Sequence, residues 1–379
     1  MFRLGSGAVA AAALAAVAGF ATPAFASTPA NANFFGGGAS HAVFVQTDNT
    51  AGNRVIAYQR AANGTLTEAG SYPTGGTGGV LAGSVVDHQA SQGSLGYGRG
   101  VLYALNAGSN TVSVFAVSGD RLTLRQVVGS GGTFPVSVAV RGDLVYVLNA
   151  LNGGSVQGFR AFGSLLVPLA GSNRALGLDP TATPQFTNTP GQVAFTPDGS
   201  RLIVTTKANG NDIDVFRVGF GGQLSAKPAV NEEPGTVPFA ITFDQYGNLV
   251  IANAGPNSLT TFAIGGDGTL SALSTVPTGQ AATCWVAPDG QFLYASNAGG
   301  ASVTGFTSSA GGQLTDLGNT STDAGTVDAA ASAGGQYLYV RAGAAGIVDE
   351  FSVGAGGTLT EIGSVTVPGA AGGEGIAAF

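Results

Sequence analysis

Apolar residues in this chain come in runs of about four to six, rich in β-branched and aromatic side chains and bounded by turn residues, which favours strand over helix. The stretch 238–279 shows the unit. It reads Pro238-Phe-Ala-Ile-Thr-Phe243, a turn ending in Gly247, Leu249-Val-Ile-Ala-Asn253, a Gly/Pro/Asn turn, Ser258-Leu-Thr-Thr-Phe262, Gly268-Thr-Leu270 and a tail to Val276-Pro277. Four short strands joined by tight turns are predicted here.

Two anchors repeat along the chain. The first is an apolar strand that usually ends in a polar residue, at 44–47, 103–106, 146–149, 203–206, 250–253, 294–297 and 339–342. The second is an aromatic residue (Tyr58, Phe115, Phe159, Phe216, Phe262, Phe306, Phe351) followed one turn later by Leu66, Leu122, Leu165, Leu224, Leu270, Leu314 and Leu359 respectively. Each anchor occurs seven times. A period of about forty-five residues with four strands per unit is the mark of a β-propeller blade. The sequence therefore predicts an all-β, seven-bladed β-propeller with four antiparallel strands per blade, a single domain over residues 41–379. A solenoid of β-hairpins is the competing repeat architecture. Blades bury both faces against their neighbours, which explains strands such as Leu144-Val-Tyr-Val-Leu148 that are apolar throughout.

The ends of the chain complement each other. His41-Ala-Val-Phe-Val45 matches a second strand, so the first blade lacks its innermost one, and Gly375-Ile-Ala-Ala-Phe379 matches the missing piece. The last residues are expected to complete blade 1 and close the ring, leaving no long free edge.

Two repeats are longer than the rest by about a dozen residues. The excess falls at 73–91, Gly-rich and containing Asp87-His88, and at 166–190, which holds Pro168, Pro180, Pro184 and Pro190. Both connect an outermost strand to the next innermost strand and share one face with the turns after the second strands. Long loops on a rigid scaffold are where binding is usually built, so that face is the candidate site; tolerated surface insertions are the plainer alternative. The pairs Asp198-Gly199, Asp267-Gly268 and Asp289-Gly290 read as hairpin turns at matched positions. Asn211-Asp-Ile-Asp214 places two carboxylates at i, i+2 but lacks the further oxygens of a calcium loop. No phosphate loop, zinc spacing or nucleophile elbow appears, so neither metal nor cofactor is expected.

Composition narrows the setting. Met1-Phe-Arg3, an Ala/Val/Leu run to Phe20 and the small-x-small site Ala24-Phe-Ala26 form a secretory signal over residues 1–26, cleaved after Ala26, with 27–40 a disordered lead-in. A membrane anchor fits less well, because the run is short and broken by Gly19 and Pro23. Loss of Arg3 takes the formal net charge from −7 to −8. So acidic a chain, with lysine only at 207 and 227, will not track a nucleic-acid backbone, and no later stretch inserts into a membrane. Only 9% of residues are charged. A single cysteine, Cys284, makes no internal disulfide and reads as a small buried apolar residue. The expected product is a secreted monomer held together by packing and closure.

Val101-Leu-Tyr-Ala-Leu-Asn-Ala-Gly-Ser-Asn-Thr-Val-Ser-Val-Phe115, Leu144-Val-Tyr-Val-Leu-Asn149 and Thr196-Pro-Asp-Gly199 resemble the seven-bladed lactonase family, which takes in propeller-type 6-phosphogluconolactonases, carboxymuconate cyclases and YVTN-repeat proteins. The resemblance covers nearly the whole chain beyond residue 40 and rests on blade strands and turns. It implies ring opening or closure of a lactone bearing carboxylate or phosphate, with His, Arg and Glu side chains in the central mouth. Neither of the two histidines matches a family catalytic motif, so no catalytic residue is carried over. The scarcity of basic residues speaks against a sugar phosphate.

The candidate residues of the mouth follow from blade position alone. Starts of innermost strands offer Gln92, Ser137, Gln192, Thr283, Asp328 and Glu374; ends of second strands offer Asp48, Asn106, Asn149, Lys207, Asn253, Asn297 and Arg341. For the amides and hydroxyls, pairing with turn backbone is the simpler role. Arg341 stands where the other blades carry Gln46, Leu105, Leu148, Thr205, Ala252 and Ser296, and its charge needs a partner, Asp328 or Glu374. That cluster suits a site in which Arg341 and Lys207 orient a carboxylate and Glu374 or His88 handles protons, with Gln92, Gln192, Asp328 and Asn253 lining it. It suits equally a clasp where the ends meet. Trp285 offers a stacking surface but sits inside a strand, where core packing is the better reading. Two functions follow: a secreted, lactonase-like hydrolase or cyclase of a small carboxylated lactone, or a non-catalytic extracellular propeller binding a glycan, peptide or cell-envelope component.

Overall fold

The computed structural model describes residues 41–379; the signal peptide and lead-in expected over 1–40 lie outside the described residues. Seven antiparallel sheets succeed one another along the chain, each run from an innermost to an outermost strand. Blade 2 covers 95–129, blade 3 135–175, blade 4 193–232, blade 5 238–277, blade 6 283–321 and blade 7 326–366. Blade 1 takes Ala42–Gln46, Arg54–Arg60 and Leu66–Pro73 from one end and Ile376–Ala378 from the other. The closing strand pairs in the register Val43↔Ala378, Phe44↔Ala377, Val45↔Ile376, so the tail completes the first blade as its sequence indicates.

Burial explains the strand pattern. Second strands such as Val101–Asn106 and Leu144–Asn149 are buried at every position, because a neighbouring blade covers each face. The aromatic anchors mark bulges: the register shifts beside Tyr58, Phe115, Phe262, Phe306 and Phe351, which re-aims each ring into the space between blades. One anchor is displaced. In blade 3 the turn between third and outermost strands is tight, with Phe162 opposite Leu165, so Leu165 is 51% exposed and Leu166, at 1%, fills the anchor's place. The Asp-Gly pairs do form turns with positive-φ glycines, but not at matched positions, since Asp267-Gly268 follows a third strand and the other two follow innermost strands.

Neighbouring blades are stitched by second-strand tyrosines. Tyr146 donates to the Gly222 carbonyl at 2.8 Å, Tyr294 to Gly357 at 3.1 Å and Tyr339 to Gly64 at 2.7 Å, each reaching the outer turn of the next blade. Tyr339→Phe strands a buried carbonyl at the seam between blades 7 and 1, so denaturant melts should show a loss of about 1–2 kcal/mol. An unchanged midpoint would mean the hydroxyl bond contributes nothing.

The two insertions lie on one face. The second contributes the short strand Arg174–Ala175, which joins blade 3, and a single helical turn, Gln185–Asn188. The first crosses the mouth of the ring. It approaches blade 1 so closely that a Cβ on Gly78 would stand 1.8 Å from the Asp48 carbonyl oxygen, which only glycine permits.

Candidate active site at the axial mouth

The innermost strand of every blade turns one edge to the ring axis, and its N–H and C=O groups need partners. Side chains supply several of them. Ser137 accepts from Val193 N–H at 3.2 Å and Gln192 Oε1 accepts from Ile241 N–H at 2.5 Å. Gln92 spans the mouth to blade 6, its Nε2 donating to the Val286 carbonyl at 2.8 Å and its Oε1 accepting from Val286 N–H at 3.0 Å. Asp328 accepts from Ala329 N–H at 2.9 Å, Asn253 donates to Thr260 at 2.8 Å, and Thr283 sits between Asn297 and Thr278. Gln92, Gln192 and Asp328 thus lie at the innermost strands, each already bonded within the ring, whereas Asn253 turns outward to Thr260 on the third strand of its blade and does not join them.

Arg341 is fully buried. Its guanidinium donates to the Gln46 carbonyl at 2.6 Å, Gly373 at 2.9 Å and Ala370 at 3.2 Å, with the Glu374 carbonyl at 3.5 Å. These are the carbonyls of the returning tail and of the strand it joins. The expected ion pair with Asp328 or Glu374 does not form: among the described residues the pair within 4.0 Å is Arg160–Asp143, at the surface. A rigid fork of donors can satisfy several carbonyls at once, and here it gathers the 370–374 turn against blade 1. The donors a substrate carboxylate would need are spent on the clasp.

Lys207 takes a left-handed backbone at the end of its strand and is likewise buried. Its ammonium donates to the carbonyls of Ala90 and Phe186, both at 2.6 Å, and to Thr189 at 3.2 Å, and lies 5.2 Å from the Phe239 ring centre. Desolvation pushes it down to about 7, an effect partly offset by Asp87.

Residues 81–92 roof this cluster. The His88 amide donates to Gly372 at 2.7 Å, Gln89 Nε2 to Asp48 at 2.5 Å, and the Ser91 hydroxyl lies within hydrogen-bond reach of Glu374 Oε1 at 2.8 Å and of the Val136 carbonyl at 3.0 Å, its one hydrogen serving one of them. From blade 6 the Trp285 indole donates to the Ser91 carbonyl at 2.6 Å while its ring packs on Phe239, 5.0 Å between centres, so Trp285 is core and anchor together. The His88 ring is half-buried with no partner on Nδ1, and burial lowers its affinity for a proton. Cys284, next to Trp285 in the chain, is partly and not fully buried, packed against the same apolar cluster as Trp285.

Four carboxyl groups meet under that roof. Burial pushes Asp48 and Asp328 up to about 7 and Asp87 up to about 6, against the opposing pull of hydrogen bonds and of the two cations. Glu374 is raised well above the carboxylate range by burial first, then by Asp87, Asp328 and Asp48. Its Oε2 has no partner. Asp87, Gln89 and Ser91 escaped the sequence reading because they sit in a loop off the blade pattern; the Asp87-His88 pair in an over-long connection was the available signal. On the same face, the depression between the second insertion and Asn152 and Asn209 holds about 20 Å³, room for about one water.

The family model described as "Lactonase, 7-bladed beta-propeller" matches residues 99–371. No curated protein matches the chain significantly. Among solved structures, a 6-phosphogluconolactonase-like protein of Bacteroides fragilis is 21% identical with a TM-score of 0.65, covering 86% of this chain and 95% of its own. The periplasmic gluconolactonase of Pseudomonas aeruginosa is 18% identical with a TM-score of 0.67, covering 86% and 96%. A protein of Lactobacillus plantarum is 21% identical with a TM-score of 0.69, covering 87% and 98%. At these identities the likeness speaks to the fold.

Proposed function

The chain belongs to the seven-bladed β-propeller lactonase family, and on that footing we propose that it is a hydrolase opening a small carboxylated lactone at the axial mouth beneath residues 81–92. The observation that carries this reading is Glu374, a fully buried carboxyl fixed through Oε1 to Ser91, with Oε2 free and its proton affinity raised by its surroundings. Such a group holds its proton more tightly than an ordinary carboxyl and can exchange it with a bound substrate. As water attacks the lactone carbonyl, its proton passes to Glu374; the ring C–O bond breaks, and the proton returns to the departing alkoxide to give a hydroxy acid. His88, neutral at the rim, serves as the second proton carrier. Lys207 meets the substrate carboxylate once Ala90 moves away, with Gln92, Gln192 and Asp328 around it. Arg341 positions the Glu374 backbone through the tail. The amino-terminal pattern supports export of the chain and action outside the cytoplasm as a monomer, and the chemistry asks for no cofactor.

A second reading, a non-catalytic propeller binding a glycan, peptide or envelope component, is favoured by one observation: the mouth is filled by the chain itself and both cations spend donors on its carbonyls. A lactone panel followed by acid release at pH 7 separates the two. The hydrolase reading expects turnover above the buffer blank, reduced about 100-fold or more in Glu374→Gln and less in His88→Ala. If wild type matches the blank, and so does a variant with residues 81–90 replaced by a short Gly-Ser linker, the binding reading stands.

A further inference from the structure

Residues 81–92 touch four of the seven blades and the tail. Blade 1 holds the segment through Asp48, blade 3 through Val136, blade 4 through Lys207 and the Gly191 carbonyl, blade 6 through Trp285 and Val286, and the tail through Gly372 and Glu374. A permanent structural hub of that kind should leave few buried polar atoms unpaired. This one leaves three at the contact, His88 Nδ1, Gln89 Oε1 and Glu374 Oε2 beside Ser91, with Gln46 Oε1 and Arg341 Nε also unpaired in the cluster beneath. Each orphan narrows the gap between the seated segment and a lifted one, in which water would serve those atoms. The outer side is already wet, with Val85 82% exposed. Glycines flank both ends, at 75, 76, 78 and 79 before it and at 93 after it, where φ is +86°.

We propose that residues 81–92 form an autoinhibitory cover that seals the axial mouth in acid and lifts from it as the pH rises to neutrality. Calling the cover autoinhibitory rests on the function proposed above; its lifting does not. The groups that face it are Asp48 from blade 1, Asp87 and His88 on the segment itself, Lys207 from blade 4, Cys284 from blade 6, Asp328 and Arg341 from blade 7, and Glu374 from the tail. In the sealed state burial holds protons on Asp48, Asp87 and Asp328 up to about pH 6–7 and raises the proton affinity of Glu374 in the same direction, whereas lifted and hydrated carboxyls ionise near 4. The sealed state therefore binds more protons between about pH 4 and 7, so raising the pH through that window favours lifting. His88 opposes this over a narrower range, because sealing lowers its proton affinity. Lys207 opposes it only above about 7, where the lifted amine still holds a proton that the sealed one has lost. Lifting is accordingly greatest near pH 7.

The chain's one tryptophan reports directly, since Trp285 is bonded to the cover. Acrylamide quenching of Trp285 and amide exchange of peptides spanning 81–92, corrected for intrinsic rates, are measured at pH 4.5 and 7.5. Both are expected to rise about tenfold or more at pH 7.5 with far-UV circular dichroism unchanged, one net proton released giving tenfold per pH unit. In Asp328→Asn with Glu374→Gln the rise should shrink; should those variants not fold, the wild-type pair of measurements decides alone. Equal corrected exchange at the two pH values, or a rise shared by all seven blades, overturns the proposal. No lactone enters this test, so an inert lactone panel with a lifting cover refutes the enzyme and leaves the cover standing.

Discussion

Truncation after Ala371 is expected to yield a chain that no longer folds as a ring. The deletion removes the innermost strand of blade 1, the buried side chains of Ile376 and Phe379, and the contacts of the Phe379 ring with Tyr97 at 4.2 Å and Phe44 at 5.9 Å. It also removes the bonds from Phe379 N–H to Ala42, Gln46 N–H to Gly375, Glu374 N–H to Asp48 and Arg60 to the Phe379 carbonyl. Two buried side chains at about 1.5–3 kcal/mol each and several hydrogen bonds at about 1 kcal/mol each approach the whole stability of an ordinary domain. A closed ring also shares its closure among all blades, so the loss is not confined to one sheet. Insoluble product, or soluble product without a cooperative melt, is the expected result; a truncated chain melting within a few degrees of wild type would show that the tail is dispensable.

Arg341→Ala should be the most damaging single substitution. It leaves the carbonyls of Gln46 and Gly373 buried without donors, leaves Ala370 only the Gly373 N–H, and removes the permanent charge facing Asp48, Asp328 and Glu374. Removing one partner from a buried charged network typically costs about 3–5 kcal/mol, which for a domain of this size lowers the melting temperature by roughly 4–7 °C. Arg341→Lys should recover little, because a single ammonium cannot reach three carbonyls spread over two segments. If Arg341→Lys melts like wild type, charge alone matters and the clasp geometry does not.

The blades were legible because their physics is local and repeated. A strand covered on both faces must be apolar throughout, as Leu144–Asn149 is, and seven such strands at one period leave few alternatives. The closing strand was legible because the first blade was visibly one strand short. The site was legible only in part. Position along a blade placed Gln92, Gln192, Asp328, Glu374, Lys207 and Arg341 at the axis, but it does not say where a side chain's donors go. Arg341 turned to carbonyls and not to a carboxylate because the tail crosses beside it, a tertiary fact. Asp87, Gln89 and Ser91 belong to a connection with no period, so nothing in their spacing announced that it folds back over the mouth. Leu165 shows the same limit on a small scale: the pair Leu165-Leu166 offers the anchor twice, and the strand register, with Ala161 opposite Leu166, buries the second.

Everything placed at the axis depends on the tail lying beside the first strand, since Asp48, Arg341 and Glu374 come from blade 1, blade 7 and the tail. A chain carrying Val43→Cys and Ala378→Cys, with Cys284→Ala to remove the native thiol, tests that juxtaposition directly, because Val43 and Ala378 are register partners. Mild oxidation of the folded monomer should consume both thiols in an internal disulfide and raise the melting temperature. Two thiols remaining free in a folded monomer would contradict the closure on which the account is built.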